Sequence, residues 1–140
     1  HGVVCWVKPS AALPLSDFVR AQTALLEGCA RWGRPIGEVD ELLAATVDAI
    51  CGPPASETDR PILAGNSVHL DWLLARRELP RFASRLHWRI LDVTTLKLEW
   101  AALGGPKLDK DVAGRHDAYH DVRASIAELA YYRRGLRLVG

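Results

Sequence analysis

Apolar residues fall along this chain either in short continuous runs or in stripes at helical spacing, and the alternation of the two outlines most of its elements. Residues 2–8, GVVCWVK, are an apolar run rich in β-formers that stops before Pro9, and they predict a core strand. Ser16 is placed to cap a segment in which Val19, Thr23, Leu26 and Ala30 recur at helical spacing, so one or two short helices are expected before Gly33. Residues 37–50 read as an amphipathic helix with Val39, Leu42, Leu43, Thr46, Val47 and Ile50 inward, stopped by Cys51-Gly52-Pro53-Pro54. A polar loop over 55–60 follows.

The second half alternates more regularly. Residues 61–66, PILAGN, predict a short buried strand, and Ser67 is expected to open a helix running through Arg77 until Pro80 breaks it. Residues 81–86 make a further helical turn or two, 88–93 a strand, and 94–103 a helix closed by Gly104-Gly105-Pro106. A charged loop, 107–114, leads into a final helix. Asp117 caps it, Val122, Ile126, Leu129 and Ala130 form its inward stripe, and Arg133, Arg134 and Gly135 make a basic last turn and stop. Strands alternating with helices predict α/β architecture with parallel strands.

Composition narrows the class. At 140 residues and 49% hydrophobic content, one domain spanning 1–140 with a single core is expected. No uncharged apolar run approaches a bilayer span and the start lacks the layout of a signal peptide, so a soluble protein without membrane partners is expected. Three cysteines, Cys5, Cys29 and Cys51, show neither disulfide nor zinc-knuckle spacing and read as reduced core residues. Methionine is absent, which predicts a processed chain or part of a longer polypeptide.

The net charge of +1 is unevenly spread. Residues 1–70 carry five basic and eight acidic side chains, and residues 71–140 thirteen and nine. Arg76, Arg77, Arg81, Arg85 and Arg89 are the densest basic run, read equally as a phosphate-facing patch and as a solvated helix face.

Candidate chemistry starts at the last helix, where His116 at the loop junction and Asp121 five residues on can share one site. His116 and His120 also stand at a zinc-like spacing, but with no third ligand His120 reads as exposed. Upstream lie Gly65-Asn66-Ser67-Val68-His69-Leu70-Asp71 and Leu91-Asp92-Val93-Thr94-Thr95-Leu96-Lys97, and Asp121 is followed by Ile126-Ala127-Glu128-Leu129-Ala130-Tyr131-Tyr132-Arg133. Taken in order, these stretches resemble the oligoribonuclease family of DEDDh exonucleases. Its members typically carry Gly-Asn-Ser-x3-Asp, Leu-Asp-Val-Ser/Thr-Thr-Leu-Lys, and His-x4-Asp followed by Ile-Ala-Glu-Leu-x-Tyr-Tyr-Arg.

The resemblance implies an RNase H-like mixed sheet flanked by helices and a 3′-5′ exoribonuclease of short RNA oligonucleotides. It implies Asp71 and Asp121 as two of four carboxylates around Mg²⁺ or Mn²⁺, and His116 as general base. A cap over the substrate's 5′ phosphate falls on Ser67, Arg89, Thr94 and Trp88, and a base-stacking position on Phe18. Read from the residues alone, Ser67 and Thr94 are equally helix caps and Trp88 a core residue.

The pattern also departs from the family. No Asp-x-Glu, the family's first motif, occurs in the 140 residues, so the first two strands are expected to be absent from this chain. His69 and Leu70 replace a Gly-Gln pair. Two functions from different classes are therefore carried forward. One is an oligoribonuclease whose remaining carboxylates come from elsewhere, working as a homodimer. The other is a catalytically dead subunit with a structural or RNA-binding role beside protein neighbours in a ribonucleoprotein. The resemblance implies an intracellular location, in cytoplasm or mitochondrion.

Overall fold

A computed structural model describes residues 5–9, 16–109 and 117–138. Within them, seven α-helices surround a two-stranded parallel sheet: α1 (Asp17–Arg20), α2 (Thr23–Trp32), α3 (Ile36–Cys51), β1 (Leu63–Gly65), α4 (His69–Glu78), α5 (Pro80–Ala83), β2 (Ile90–Asp92), α6 (Val93–Ala102) and α7 (Ala118–Leu138). The strands pair in register, Leu63 with Ile90, Ala64 with Leu91 and Gly65 with Asp92. The α/β class and the parallel pairing expected from the alternating pattern are therefore present.

Both strands are shorter than their apolar runs. Each run keeps sheet geometry for three residues only, because β1 and β2 pair with each other and each has one edge without a strand among the described residues. The strand expected over 2–8 is reduced in its described part to a single parallel bridge, Val7 with Arg34, while residues 2–4 lie outside the described residues. There the Arg34 N–H donates to the Trp6 carbonyl at 2.9 Å and the Lys8 N–H to the Arg34 carbonyl at 3.0 Å.

Helix ends follow local chemistry where a cap is near in sequence. Ser16 accepts from the Val19 N–H at 3.3 Å, and Asp117 from the His120 N–H at 2.9 Å, as the cap pattern predicts. Elsewhere tertiary partners intervene. α5 begins at Pro80, which suits the first helical position because its missing N–H would have no partner there. The next two donors, the N–H groups of Arg81 and Phe82, are met at 3.0 and 2.8 Å by the carboxylate of Asp40, buried on α3. The polar loop over 55–60 holds a 3-10 turn at Glu57–Asp59.

The inward stripe of α7 is the largest correction. Val122 and Ile126 are exposed, at 58% and 62%, whereas Glu128 and Tyr132 are buried at 1% and 2%. The helix packs against α6 and β1 through the face carrying Ser125, Glu128 and Tyr132, which its polar groups can occupy because each finds a hydrogen bond there. Ile50, also expected inward, is exposed on α3, and so is Cys51, expected in the core, while Cys5 and Cys29 are half-buried.

α7 also runs on past Gly135, where the indole of Trp100 on α6 is slotted against the helix backbone. That indole donates to the Pro106 carbonyl at 2.9 Å and meets Tyr131 edge-on, so it is held in place. A Cβ at Gly135 would lie 2.7 Å from the ring. Glycine to alanine within a helix ordinarily gains about 1 kcal/mol. Overpacking of this kind costs about 1–3 kcal/mol. Gly135→Ala is therefore expected to lower stability by about 1 kcal/mol in a urea titration. A midpoint at or above that of the parent would contradict this packing.

The basic run is divided rather than pooled. Arg85 donates to Asp48 at 3.0 Å, an interaction that raises its pKa above the ordinary guanidinium value by hydrogen bond and charge. Arg81 pairs with Glu41, Arg77 with Glu78 at 2.6 Å, Arg76 lies over the Trp72 ring and Arg89 over that of Trp88. Internal partners on different elements favour the solvated-face reading of this run over a common phosphate-facing patch.

Candidate active site

β1 and β2 end side by side, and the chain turns from each into a helix, α4 or α6. The carboxyl ends of parallel strands are where open α/β sheets bind ligands. Asp92, last residue of β2, organises this junction. Its Oδ1 accepts from the Thr94 N–H at 2.9 Å, capping α6, and from the Ser67 N–H at 2.9 Å, while Oδ2 lies 3.4 Å from Nδ1 of His69. Burial pushes the Asp92 carboxyl upward, but the hydrogen bonds from Thr94, His69 and Ser67 outweigh it and hold the group below the ordinary carboxylate range. It is the anion of this junction.

Ser67 does not open its helix as expected. It sits in the left-handed region with φ 53°, while Val68 takes the capping position and α4 starts at His69. A non-glycine residue held there costs about 1 kcal/mol or more, and such strain collects at functional sites. Its N–H also reaches Oγ1 of Thr94 at 3.0 Å, and the two hydroxyl oxygens stand 3.4 Å apart. Thr94 likewise is not the cap of α6, since Asp92 fills that position.

Behind them, Asn66 joins the junction to α7. Its Nδ2 donates to Glu128 Oε2 at 2.7 Å and to Ser125 Oγ at 3.0 Å, and its Oδ1 lies 3.4 Å from the Thr94 hydroxyl. Tyr132 donates to Glu128 Oε1 at 3.3 Å. Burial first, then the charge of Glu128 and this hydrogen bond, push the Tyr132 phenol above its ordinary pKa.

An open cavity of about 900 Å³ lies between α4 and α7, over β1. Its lining brings together four of the eight site residues predicted from sequence: Ser67, Asp71, Thr94 and Asp121. Lys97 of α6 and His120 of α7 also line it, and His120 is half-buried rather than exposed as expected. Trp88 and Arg89 do not line it; they project at the opposite end of β2, with the guanidinium 4.9 Å from the ring centroid. Trp88 is 60% exposed, so it is no core residue. Phe18 lies exposed on α1, away from the cavity lining. His116 lies outside the described residues.

Sequence reasoning gave no role to Asp92, Asn66, Glu128 or Lys97. All four lie within the quoted motifs, so the signal was their place there rather than any spacing of their own.

Carboxylate oxygens suit a hard divalent cation. Among the described residues, however, no group of three His, Cys, Asp or Glu side chains is placed to hold a metal. Asp71 and Asp121 alone do not make a two-cation site, and further oxygen ligands are needed.

An oligoribonuclease of Hahella chejuensis is 36% identical to this chain over 94% of it and 72% of that protein. The chain belongs to the oligoribonuclease family. An oligoribonuclease of Corynebacterium diphtheriae is 33% identical over 94% of the chain, and the mitochondrial oligoribonuclease of Saccharomyces cerevisiae 42% identical over 51% of it. The chain spans 63% of the former protein's length and 27% of the latter's. No protein-family profile matches the chain. The mixed α/β architecture with its small parallel sheet is consistent with the RNase H-like fold of an oligoribonuclease. No helix among the described residues is long and apolar enough to cross a membrane.

Proposed function

We propose that this chain is the substrate-end part of an oligoribonuclease, a 3′-5′ exoribonuclease of short RNA oligonucleotides. The observation that carries the reading is the convergence of Ser67, Thr94, Asp71 and Asp121, from three helices and a strained turn, on one cavity. Hydroxyls at one wall suit a terminal phosphate, and two carboxylates suit Mg²⁺ or Mn²⁺ once more oxygen ligands join them.

Those ligands are assigned to a further strand pairing with the edge of β1 that has no strand beside it among the described residues. Leu63, Ala64 and Gly65 of β1 line the cavity, and exposed Val122 and Ile126 line it from α7, so this part of its wall is largely apolar. An unpaired strand edge invites such addition. On this reading residues 1–140 form a single RNase H-like domain, and His116 is the general base. The exposed Trp88, with Arg89 beside it, reaches the site of a second copy in a homodimer. Its place of action is intracellular.

The test is hydrolysis of a labelled RNA dinucleotide in Mn²⁺ by the chain, alone and with an apolar peptide carrying Asp-x-Glu. Mononucleotide release that His116→Ala abolishes is expected, with the peptide raising it at least tenfold. No release in either case would leave the family's other reading, an RNA-binding or structural subunit.

A further inference from the structure

His87 is a titratable group that the proposed chemistry leaves without a task, yet it is only 4% exposed, just where the chain enters β2. The next two residues turn outward. Trp88 is 60% exposed and Arg89 is exposed beside it. The main-chain N–H of His87 donates to the Pro61 carbonyl at 2.9 Å, which ties His87 to the segment leading into β1. Its Nδ1 stands 2.9 Å from the main-chain nitrogen of Arg89. A main-chain N–H can only donate, so Nδ1 is the acceptor and the ring carries its proton on Nε2.

A side-chain acceptor bonded to the N–H two residues further on is the arrangement that asparagine and aspartate make in an Asx turn. Here a buried imidazole makes it. The bond joins positions 87 and 89 and leaves Trp88 between them, with its ring centroid 5.4 Å from that of His87 and 4.9 Å from the Arg89 guanidinium. An aromatic side chain whose main chain is already fixed loses less freedom when it meets a partner. A purely apolar residue at 87 would fill the same space and leave the Arg89 N–H without this acceptor.

We propose that His87 is a positioning residue whose Nδ1 closes the turn that presents Trp88 to the site of a second copy of this chain. This rests on the reading above that Trp88 serves a neighbouring subunit, and it adds what aims the ring.

Binding of an RNA dinucleotide in EDTA, followed by calorimetry, tests it without turnover. Trp88→Ala is expected to weaken binding about tenfold, as loss of an aromatic anchor at an interface does. His87→Gln places its oxygen one bond further out than Nδ1 and should weaken binding to the same degree. His87→Leu, which keeps the bulk and offers no acceptor, should match it. His87→Asn, whose oxygen stands where Nδ1 does, should stay within about threefold of the parent, because it can close the same turn. Added to Trp88→Ala, His87→Gln should cost nothing more, since residues that act through one another are not additive. Equal affinities for His87→Asn and His87→Gln, or a further loss when His87→Gln is added to Trp88→Ala, overturn the positioning role while the Trp88 reading stands. Unchanged affinity in Trp88→Ala overturns both. Absence of dinucleotide binding by the parent chain overturns the exoribonuclease reading and this proposal with it.

Discussion

Asp40→Ala is expected to lower stability by about 3–4 kcal/mol, because two charge-assisted hydrogen bonds of about 1.5–3 kcal/mol each are lost while their donors stay bound in the fold. The arithmetic follows from position. Arg81 and Phe82 are the second and third residues of α5, whose N–H groups have no partner inside their own helix, and Asp40 takes both. Its carboxylate thus does for α5, from the side of α3, what a capping residue does from within the chain. In a domain holding roughly 5–15 kcal/mol in total this is a large fraction. It corresponds to about 10 °C in melting temperature for a chain of this size. Asp40→Asn keeps one acceptor oxygen and should lose about half as much. Equal melting temperatures for the alanine variant and the parent would show that α5 does not depend on this contact. Loss confined to the rim pair Arg81 with Glu41, by Glu41→Ala, should be within about 1 kcal/mol, since exposed ion pairs contribute little.

Asp40 also shows where sequence reading stops. A helix over 37–50 was evident from its periodic apolar positions, and the helix is there, but an aspartate beside Val39 looks like solvated surface until the helix 41 residues away is docked on it. α7 failed for the same reason in reverse. Val122 and Ile126 make an apolar stripe at helical spacing, yet the helix turns Ser125, Glu128 and Tyr132 inward. Apolar periodicity reports a buried face when polar groups have nowhere else to go. Here Asn66 gives Ser125 and Glu128 a partner, Glu128 gives Tyr132 one, and the apolar stripe is left facing the cavity. Short-range signals fared better: Ser16 and Asp117 cap where expected, and the strand–helix alternation gave the parallel pairing. Of the candidate site, the motifs supplied four cavity residues by resemblance, whereas the roles of Asp92 and Asn66 required distances. The strain at Ser67 had no signal at all, because a serine in that position reads as an ordinary cap.

In the peptide-supplemented assay, Asp71→Asn and Asp121→Asn are each expected to lower kcat about a thousandfold, equivalent to ~4 kcal/mol of barrier. Each carboxylate enters from a different wall, Asp71 from the first turn of α4 and Asp121 from that of α7, so neither can replace the other. Asparagine keeps the shape and one oxygen but removes the charge that a divalent cation requires of its ligands. Both residues are exposed at the cavity mouth, so each variant should melt within about 2 °C of the parent, surface substitutions being worth about 0.5 kcal/mol or less. Affinity for the dinucleotide in EDTA should stay within threefold, since the phosphate is held at the Ser67 wall. Groups that hold one metal cluster act as a unit, so the double variant should be little worse than either single one. A full activity in Asp121→Asn would remove α7 from the chemistry. If both variants lost binding in EDTA to the same degree as turnover, the carboxylates would belong to substrate recognition, and the cavity would be an RNA-binding cleft instead of a hydrolytic centre.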